Sequence, residues 1–403
     1  MRLRWKVTIV SFSTALSLLL LMGALLGQEK SSGDPYRPLS VFSEVLSRIQ
    51  SDYVEEPNFR NVTEGALHGM LESLDPHSSY LSPQEYQRYQ KRQDQQAGIG
   101  AIVSKRLGYV SVITVLPNSP AEKAGLLPGD ILESIDGRST REISLAEATW
   151  LLEGAPGTKV SFSVVRERAT EPKPMEITRQ PIRLPDVTGQ ALEAGIGYIR
   201  ARVFSMGTTE KIADQIRQLR NRGAGKFILD LRDNAYGDVE EGIATANLFL
   251  REGLISYLEG QEVPRKSFLA EESKAVSAEP LAVLVNASSG GAAEIVASAI
   301  LENKRGEVVG ERTFGIGSVQ KVFPLDDGSA LILSVAKYFT PVGKAIPDNG
   351  VVPSVAVEEE REFVPLGGEE IEPPPETQKP REDAPLKRAI ELLTAAAELP
   401  QAA

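Results

Sequence analysis

Three stretches of this chain carry residue types and spacings capable of chemistry. Gly98-Ile99-Gly100-Ala101 is a glycine-rich turn entering a β-rich segment. Successive backbone N–H groups in such a turn cradle a carboxylate, and an added peptide strand pairs with the neighbouring sheet edge. Val283-Leu284-Val285-Asn286 reads as a strand that ends in a small-residue turn, 287–291, before a helix starting at Ala292. A strand–turn–helix of this kind aims amide groups at one point, where a nucleophile and its oxyanion hole can sit. The third stretch, 310–320, is a glycine-rich loop between strands. The chain has no cysteine and only two histidines, His68 and His77. Disulfides, thiolate chemistry, Cys-ligated zinc and a lipidated Cys are therefore excluded, and little is left for a His-based triad or metal site. His77, in the turn after Asp75-Pro76, and His68, on a helical face, read as structural residues; no cofactor and no metal is expected.

Several elements must hold these stretches in place. Val41, Val45, Leu46 and Ile49 recur at helical spacing, and so do Leu67, Met70, Leu71 and Leu74. Ser82-Pro83-Gln84-Glu85 starts a further helix, whose continuation over 86–96 is polar and reads as exposed. Strands are expected at 109–115 and 159–165, with turns and one longer helix near 145–152 between them. From 195 to 357 strands and helices alternate, an α/β pattern. Strands are placed at 196–201, 226–231, 281–285, 308–309, 319–323 and 330–336, and helices at 209–222 and 292–302. Residues 358–403 hold 12 acidic and 5 basic side chains and seven prolines. They read as an acidic, Pro-rich tail with one helix over 386–399, mobile and dispensable for folding.

The chain has 403 residues, 41% hydrophobic and 25% charged, which makes it globular; at ~150 residues per domain it holds two or three. Lys plus Arg number 44 against 55 Asp plus Glu, a net charge of −11, which argues against a nucleic-acid partner. Arg2, Arg4 and Lys6 precede an uncharged run from Val7 to Leu26. Residues 1–27 thus read as a signal peptide or an uncleaved membrane anchor, since twenty helical residues reach ~30 Å. Either reading places the body outside the cytoplasm, periplasmic or in the cell envelope, and an uncut segment would hold it to the inner membrane.

The turn at 98–101, followed in order by Ser119-Pro120-Ala121, Ala124-Gly125-Leu126, Pro128-Gly129-Asp130 and Asp136-Gly137, resembles a PDZ domain of the bacterial protease type. With Leu74-Asp75-Pro76-His77-Ser78-Ser79-Tyr80, Leu229-Asp230-Leu231-Arg232, Ala292-Ala293-Glu294-Ile295, Phe314-Gly315-Ile316-Gly317 and Gly350-Val351-Val352-Pro353, the stretch from Leu74 to Pro353 resembles the carboxyl-terminal processing peptidases, or tail-specific proteases. These are serine endopeptidases with a Ser–Lys dyad assisted by a Gln. The resemblance implies an α/β (α+β multidomain) architecture: an N-terminal helical region (38–95), an inserted β-rich PDZ domain (96–183) and a Clp protease/crotonase-like α/β core (184–357).

It also implies where catalysis would sit, and there the chain departs from the pattern. Gly291 stands at the nucleophile position of the family's Ser-Ala-Ser-Glu-Ile, and Ile316 at the lysine of its Phe-Gly-Lys-Gly; Gln320 is retained. The family's oxyanion loop, Asn-Asn-Pro-Gly-Gly, reads Asp233-Asn234-Ala235-Tyr236-Gly237 here, so the oxyanion region comprises Tyr236, Gly237 and Ala292. A side chain at Tyr236, at a position needing positive φ or close backbone approach, is expected to disturb the hole. Ser289 is the fallback nucleophile should the turn slip; Lys304 and Lys321 lie too far along the chain to serve as its base.

The leading expectation is a non-catalytic extracytoplasmic PDZ protein of this family. It would bind protein or peptide C-termini through Gly98, Ile99, Gly100 and Ala101, or regulate a partner, an active peptidase or an envelope protein. One alternative is an active serine endopeptidase cutting near protein C-termini with a re-registered Ser289. The other is a structural envelope scaffold.

Overall fold

Alternation of inward apolar and outward polar residues builds the first sheet. In the strand Lys159–Val165, Val160, Phe162 and Val164 are buried while Lys159 and Ser161 face solvent, the period-2 pattern of a half-buried strand. The structure, a computed structural model, describes residues 37–91, 97–106, 108–166, 171–347, 349–359 and 382–395. The expected signal or anchor segment, 1–27, lies outside them. Among the described residues no helix is long and apolar enough to cross a membrane.

Two compact units divide between Gly65 and Ala66. The first contains the helix Arg37–Asp52, where the Val41–Ile49 periodicity placed one. The second holds everything that follows. Its PDZ sheet is antiparallel, in the order Ala101–Arg106, Tyr109–Val115, Ile131–Ile135, Lys159–Val165, Lys173–Thr178, with the short strand Arg138–Ser139 beside Ile131–Ile135. The helix Leu145–Leu152 closes one face; the Ser144 side chain caps it by accepting from the Glu147 amide. Val110, Leu132, Ala148, Leu152, Val160 and Phe162 share one core. At the edge of that core, Arg166 grips the buried Asp130 with two bonds of 2.6 Å, tying the Pro128-Gly129-Asp130 turn to the end of the fourth strand.

The larger domain is organised around a sheet in the order Thr188–Leu192, Ile196–Arg200, Lys226–Asp230, Leu281–Val285, Glu307–Gly310, Val355–Ala356. All pairs after the first are parallel. Leu281–Val285 is buried along its whole length, as a parallel strand covered on both faces must be. One face carries the helices Thr208–Asn221, Val239–Asn247 and Ala292–Glu302 over Phe204, Phe227 and Leu229. A second sheet, Ser79–Leu81, Ala330–Phe339, Leu254–Glu259, Lys266–Leu269, with Ser318–Pro324 also on Ala330–Phe339, completes the domain. Expected strands and helices recur within a residue or two in most of the core.

Two expectations are corrected. The helix Pro83–Lys91 is not polar all round: Tyr86 and Tyr89, three apart on one face, are half-buried, and Tyr89 packs against Trp150 of the PDZ helix at 5.4 Å. The acidic tail is not wholly detached either. Its helix, Ala384–Ala395, covers the second face of the parallel sheet, burying Ala389 and Leu393 against Ile196, Ile228, Leu284 and Val309. Asp383, just before this helix, receives two bonds of 2.9 Å from Arg232. Apolar residues at i, i+4 and i+7 outweigh the surrounding charge once a sheet face is left uncovered.

Candidate functional site

Asn286 ends the central strand, and the five residues after it turn the chain back into the helix Ala292–Glu302. The turn is tied down at every step. The Ser289 amide bonds the Asn286 carbonyl at 2.9 Å, and the Gly290 amide bonds the Asn234 carbonyl at 2.8 Å. Gly291, the residue before the helix, has φ +60° and ψ −117°. That conformation is sparsely populated by residues with a side chain and is the strained elbow on which a nucleophile is usually displayed. A Cβ built on Gly291 meets nothing within 4 Å, so the place for a side chain is open and vacant.

The loop that carries Ile316 comes to the same point. Glu294, fully buried in the first turn of the helix, accepts from the Gly291 amide (2.9 Å), the Ile316 amide (2.7 Å), the Gly315 amide (2.8 Å) and the Thr313 hydroxyl. The Gly291 and Ile316 amides share one carboxylate oxygen, Oε2. The two positions assigned to the dyad are therefore brought together by a single side chain. The Ile316 side chain packs over Gly290 and not over the open place at Gly291: its Cδ1 lies 2.8 Å from where a Cβ on Gly290 would be. Burial pushes the Glu294 carboxyl up to about 7, against the pull of its four donors, with the Thr313 hydroxyl first among them.

The oxyanion loop is held against this turn. The Asp233 amide bonds Asn286 Oδ1 at 3.0 Å, and buried Asn234 donates to the Ala201 carbonyl at 2.9 Å. Phe204 bridges the loop, its amide donating to the Tyr236 carbonyl (2.9 Å) and its carbonyl accepting from the Asp238 amide (2.7 Å). The position that requires glycine is Gly237, with φ +127° and the Phe204 oxygen 2.1 Å from any added Cβ. Tyr236 is outside the positive-φ region, so its side chain does not distort the backbone as expected. Among the described residues the Gly237 and Ala292 amides, the two expected in the oxyanion region, have no acceptor. Beneath the loop, Arg232 grips Asp230. Burial alone would raise the Asp230 carboxyl, but the Arg232 guanidinium in contact with both of its oxygens holds it below the usual range.

The remaining sequence-derived residues are placed as follows. Ser289 is fully buried; its hydroxyl donates to the Leu231 carbonyl (2.8 Å) and accepts from the Asn286 amide (3.0 Å), a bracing role between strand ends. Gln320 is exposed, its amide engaged by Ser318 and Ser334, and among the described residues no hydrogen bond joins it to Gly291 or Ile316. His77 donates its amide to Asp75 (2.8 Å), and His68 stands edge-on to Tyr80 at 5.6 Å.

The peptide-binding turn is partly occupied by the fold itself. The Gly98 amide bonds the Gln180 carbonyl at 3.0 Å and is not available to a ligand, which corrects the four-residue cradle. The Ile99 and Gly100 amides have no acceptor among the described residues. Gly100 has φ +81°, and Ser119 Cβ would sit 2.3 Å from its Cβ, so only glycine fits. This turn borders a groove of about 370 Å³ walled by Ile99, Ile102 and Leu152. The PDZ sheet meets both loops of the candidate site: the Thr114 hydroxyl bonds the Asp233 carbonyl at 2.9 Å, and Arg106 lies 4.1 Å over Phe314 while donating to its carbonyl at 3.0 Å. Neither contact was visible in local sequence pattern, because the partners are 119 and 208 residues apart.

Comparison with known proteins agrees with this architecture. Residues 195–357 match the model of peptidase family S41, and residues 111–166 that of a PDZ domain. The chain is 36% identical over 320 residues to a carboxyl-terminal-processing protease of Synechocystis, covering 77% of this chain and 75% of that one. It is 34% identical over 339 residues to the carboxy-terminal processing protease CtpA of Bacillus subtilis, covering 83% and 72%. Among solved structures, the photosystem II D1 C-terminal processing protease superposes with a TM-score of 0.66 at 29% identity, covering 79% of this chain and 87% of that one.

Proposed function

Since the chain belongs to the carboxyl-terminal processing peptidases, we propose that it is a member that binds protein C-termini without cutting them. The observation that carries this reading is the pair Gly291 and Ile316. The backbone that would display a serine and a lysine is intact, joined through Glu294, and neither functional group is present. A hydroxyl needs a base to take its proton, and here both hydroxyl and base are absent. Ser289 does not supply the first, because its hydroxyl is buried and doubly bonded to the main chain. An isoleucine in place of a buried lysine also relieves the cost of an uncompensated charge, so the second change is coherent with the first.

Recognition fares better than catalysis under this reading. The Ile99 and Gly100 amides would hold the terminal carboxylate, and the edge beside them would pair with the ligand strand. Regulation of an active relative by holding its substrate's terminus is the corresponding biological role. The basic Arg2, Arg4 and Lys6 before the uncharged run to Leu26 support placing this work outside the cytoplasm, at the cell envelope.

The test is a serine-reactive phosphonate and a casein digest, applied to the unmodified chain and to Ser289→Ala side by side. Neither labelling nor cleavage is expected. Labelling that disappears in Ser289→Ala would overturn the reading and assign the turn a second register.

A further inference from the structure

We infer that Tyr236 and Leu184 of the peptidase-like domain form the wall of the PDZ groove that receives the final, apolar side chain of a bound peptide. The ligand site is then shared between the two domains, and Tyr236 is a specificity-determining residue. This rests on the reading of the groove as a C-terminus site and names the part of it that chooses the ligand.

The groove is lined on one side by PDZ residues and on the other by Ile182, Leu184 and Tyr236, which come from outside the PDZ sheet. Ile182 Cδ1 lies 3.2 Å from the position a Cβ on Gly100 would take, so the Ile182 side chain reaches the amide turn. Leu184 and Tyr236 line the same groove as Ile99 and Gly100, which offers them to the last side chain of a ligand held there. Tyr236 is presented from a backbone with no slack. Its carbonyl is bonded to the Phe204 amide, and Gly237 is pressed against the Phe204 carbonyl. Its side chain is nevertheless 42% exposed and Leu184 is 39% exposed.

These two residues also border a second hollow of about 580 Å³, whose rim is Met206, 94% exposed. Leu184, Tyr236 and Met206 thus form a continuous apolar surface running out of the PDZ groove, and exposed apolar clusters of this kind mark contact sites. Among the described residues no Lys or Arg lines the groove, while Glu153 does, so an acidic final side chain is disfavoured there. Where the family pattern has glycine, a ring closes the space beside the oxyanion loop and turns it into a wall. The substitution that departs from the family is then a gain for binding.

The experiment uses the full chain and fluorescent peptides identical except for the last residue: Leu, Ala, Asp, and Leu capped as the amide. Affinities are measured for the unmodified chain, Tyr236→Ala, Tyr236→Phe and Leu184→Ala, with thermal melting of each to show that it is folded. The Leu-ended acid is expected to bind about tenfold tighter than the Ala-ended one, the order of a few buried methylenes. Tyr236→Ala should remove that preference, Leu184→Ala should weaken it, and Tyr236→Phe should keep it, because the ring and not the hydroxyl makes the wall. A peptide ending in photo-leucine should crosslink to Tyr236 or Leu184. A Leu preference unchanged in Tyr236→Ala, with crosslinks confined to 97–102 and 145–153, would overturn this inference and leave the C-terminus reading standing. Equal binding of acid and amide, or none at all, would overturn both.

Discussion

The turns at Gly291 and Gly100 are made of the same material, a glycine in left-handed backbone beside amides without an acceptor, yet they differ in what they need to work. At Gly291 the amides of Ala292 and Gly237 persist, and so does the elbow, but the reaction also required a hydroxyl and an amine that only side chains provide. At Gly100 the proposed ligand would be held by main-chain N–H groups and a sheet edge, which no ordinary substitution removes. On the proposed reading, two side-chain changes silence the core and leave the PDZ groove in working order, because only the core depends on side-chain groups.

The largest effect that would sharpen this contrast is a repair. Gly291→Ser with Ile316→Lys should turn background casein cleavage into a measurable rate, since loss of a nucleophile or base costs ~10⁴ to 10⁶ in kcat. Either change alone should stay at background. The space for the serine is open, and its cost is the strained φ of +60°, ~1–3 kcal/mol. If the double variant is silent, Tyr236→Gly is the third change to add. The full triple remaining silent would mean that the supporting residues, and not the dyad alone, have drifted.

Next in size is the clamp beneath both loops. Arg232 is almost wholly buried between Asp230, Glu359 and Asp383. Arg232→Ala strips buried Asp230 of its two-point partner, leaving the Tyr198 hydroxyl at 2.5 Å and Arg200 at 3.8 Å, and should lower unfolding stability by up to ~3–5 kcal/mol, read from urea titration. Truncation after Glu359 should also destabilise, because it strips Ala389 and Leu393 from the sheet. An unchanged midpoint in the truncated chain would mean that the helix contributes nothing.

Glu294 gives a smaller and pH-dependent effect. Glu294→Gln turns an NH₂ toward groups that are all donors and should cost ~1–3 kcal/mol. Because burial raises the native carboxyl to about 7 from an ordinary value near 4.5, the folded protein binds the extra proton more tightly than the unfolded one. Stability from this group is therefore full below about pH 4.5 and declines as pH rises to about 7. Unfolding curves across that window should show the slope in the unmodified chain and lack it in Glu294→Gln. The smallest effect belongs to the groove. Capping a bound peptide's terminus as an amide should weaken binding by ~1.5 kcal/mol, the size of one charge-assisted hydrogen bond.

Much of the fold was legible locally. Leu281–Val285 is a continuous apolar run and Leu145–Leu152 a capped helix, and both appear with the bounds their pattern implies. Leu254–Glu259 and Lys266–Leu269 were not anticipated, since the first rests on pairing with Ala330–Phe339, about 80 residues away, and the second on pairing with the first. Tyr86 and Tyr89 carried a readable signal in their spacing, one that a polar composition hid. That Gly291 and Ile316 carry neither a hydroxyl nor an ammonium needed no coordinates, because these groups are properties of single residues. That the two positions meet at one oxygen of Glu294, that Tyr236 faces the PDZ groove and that the tail helix docks beside Arg232 were decided only by tertiary structure. Each depends on residues remote in sequence being brought within a few ångströms, a distance that local periodicity does not encode.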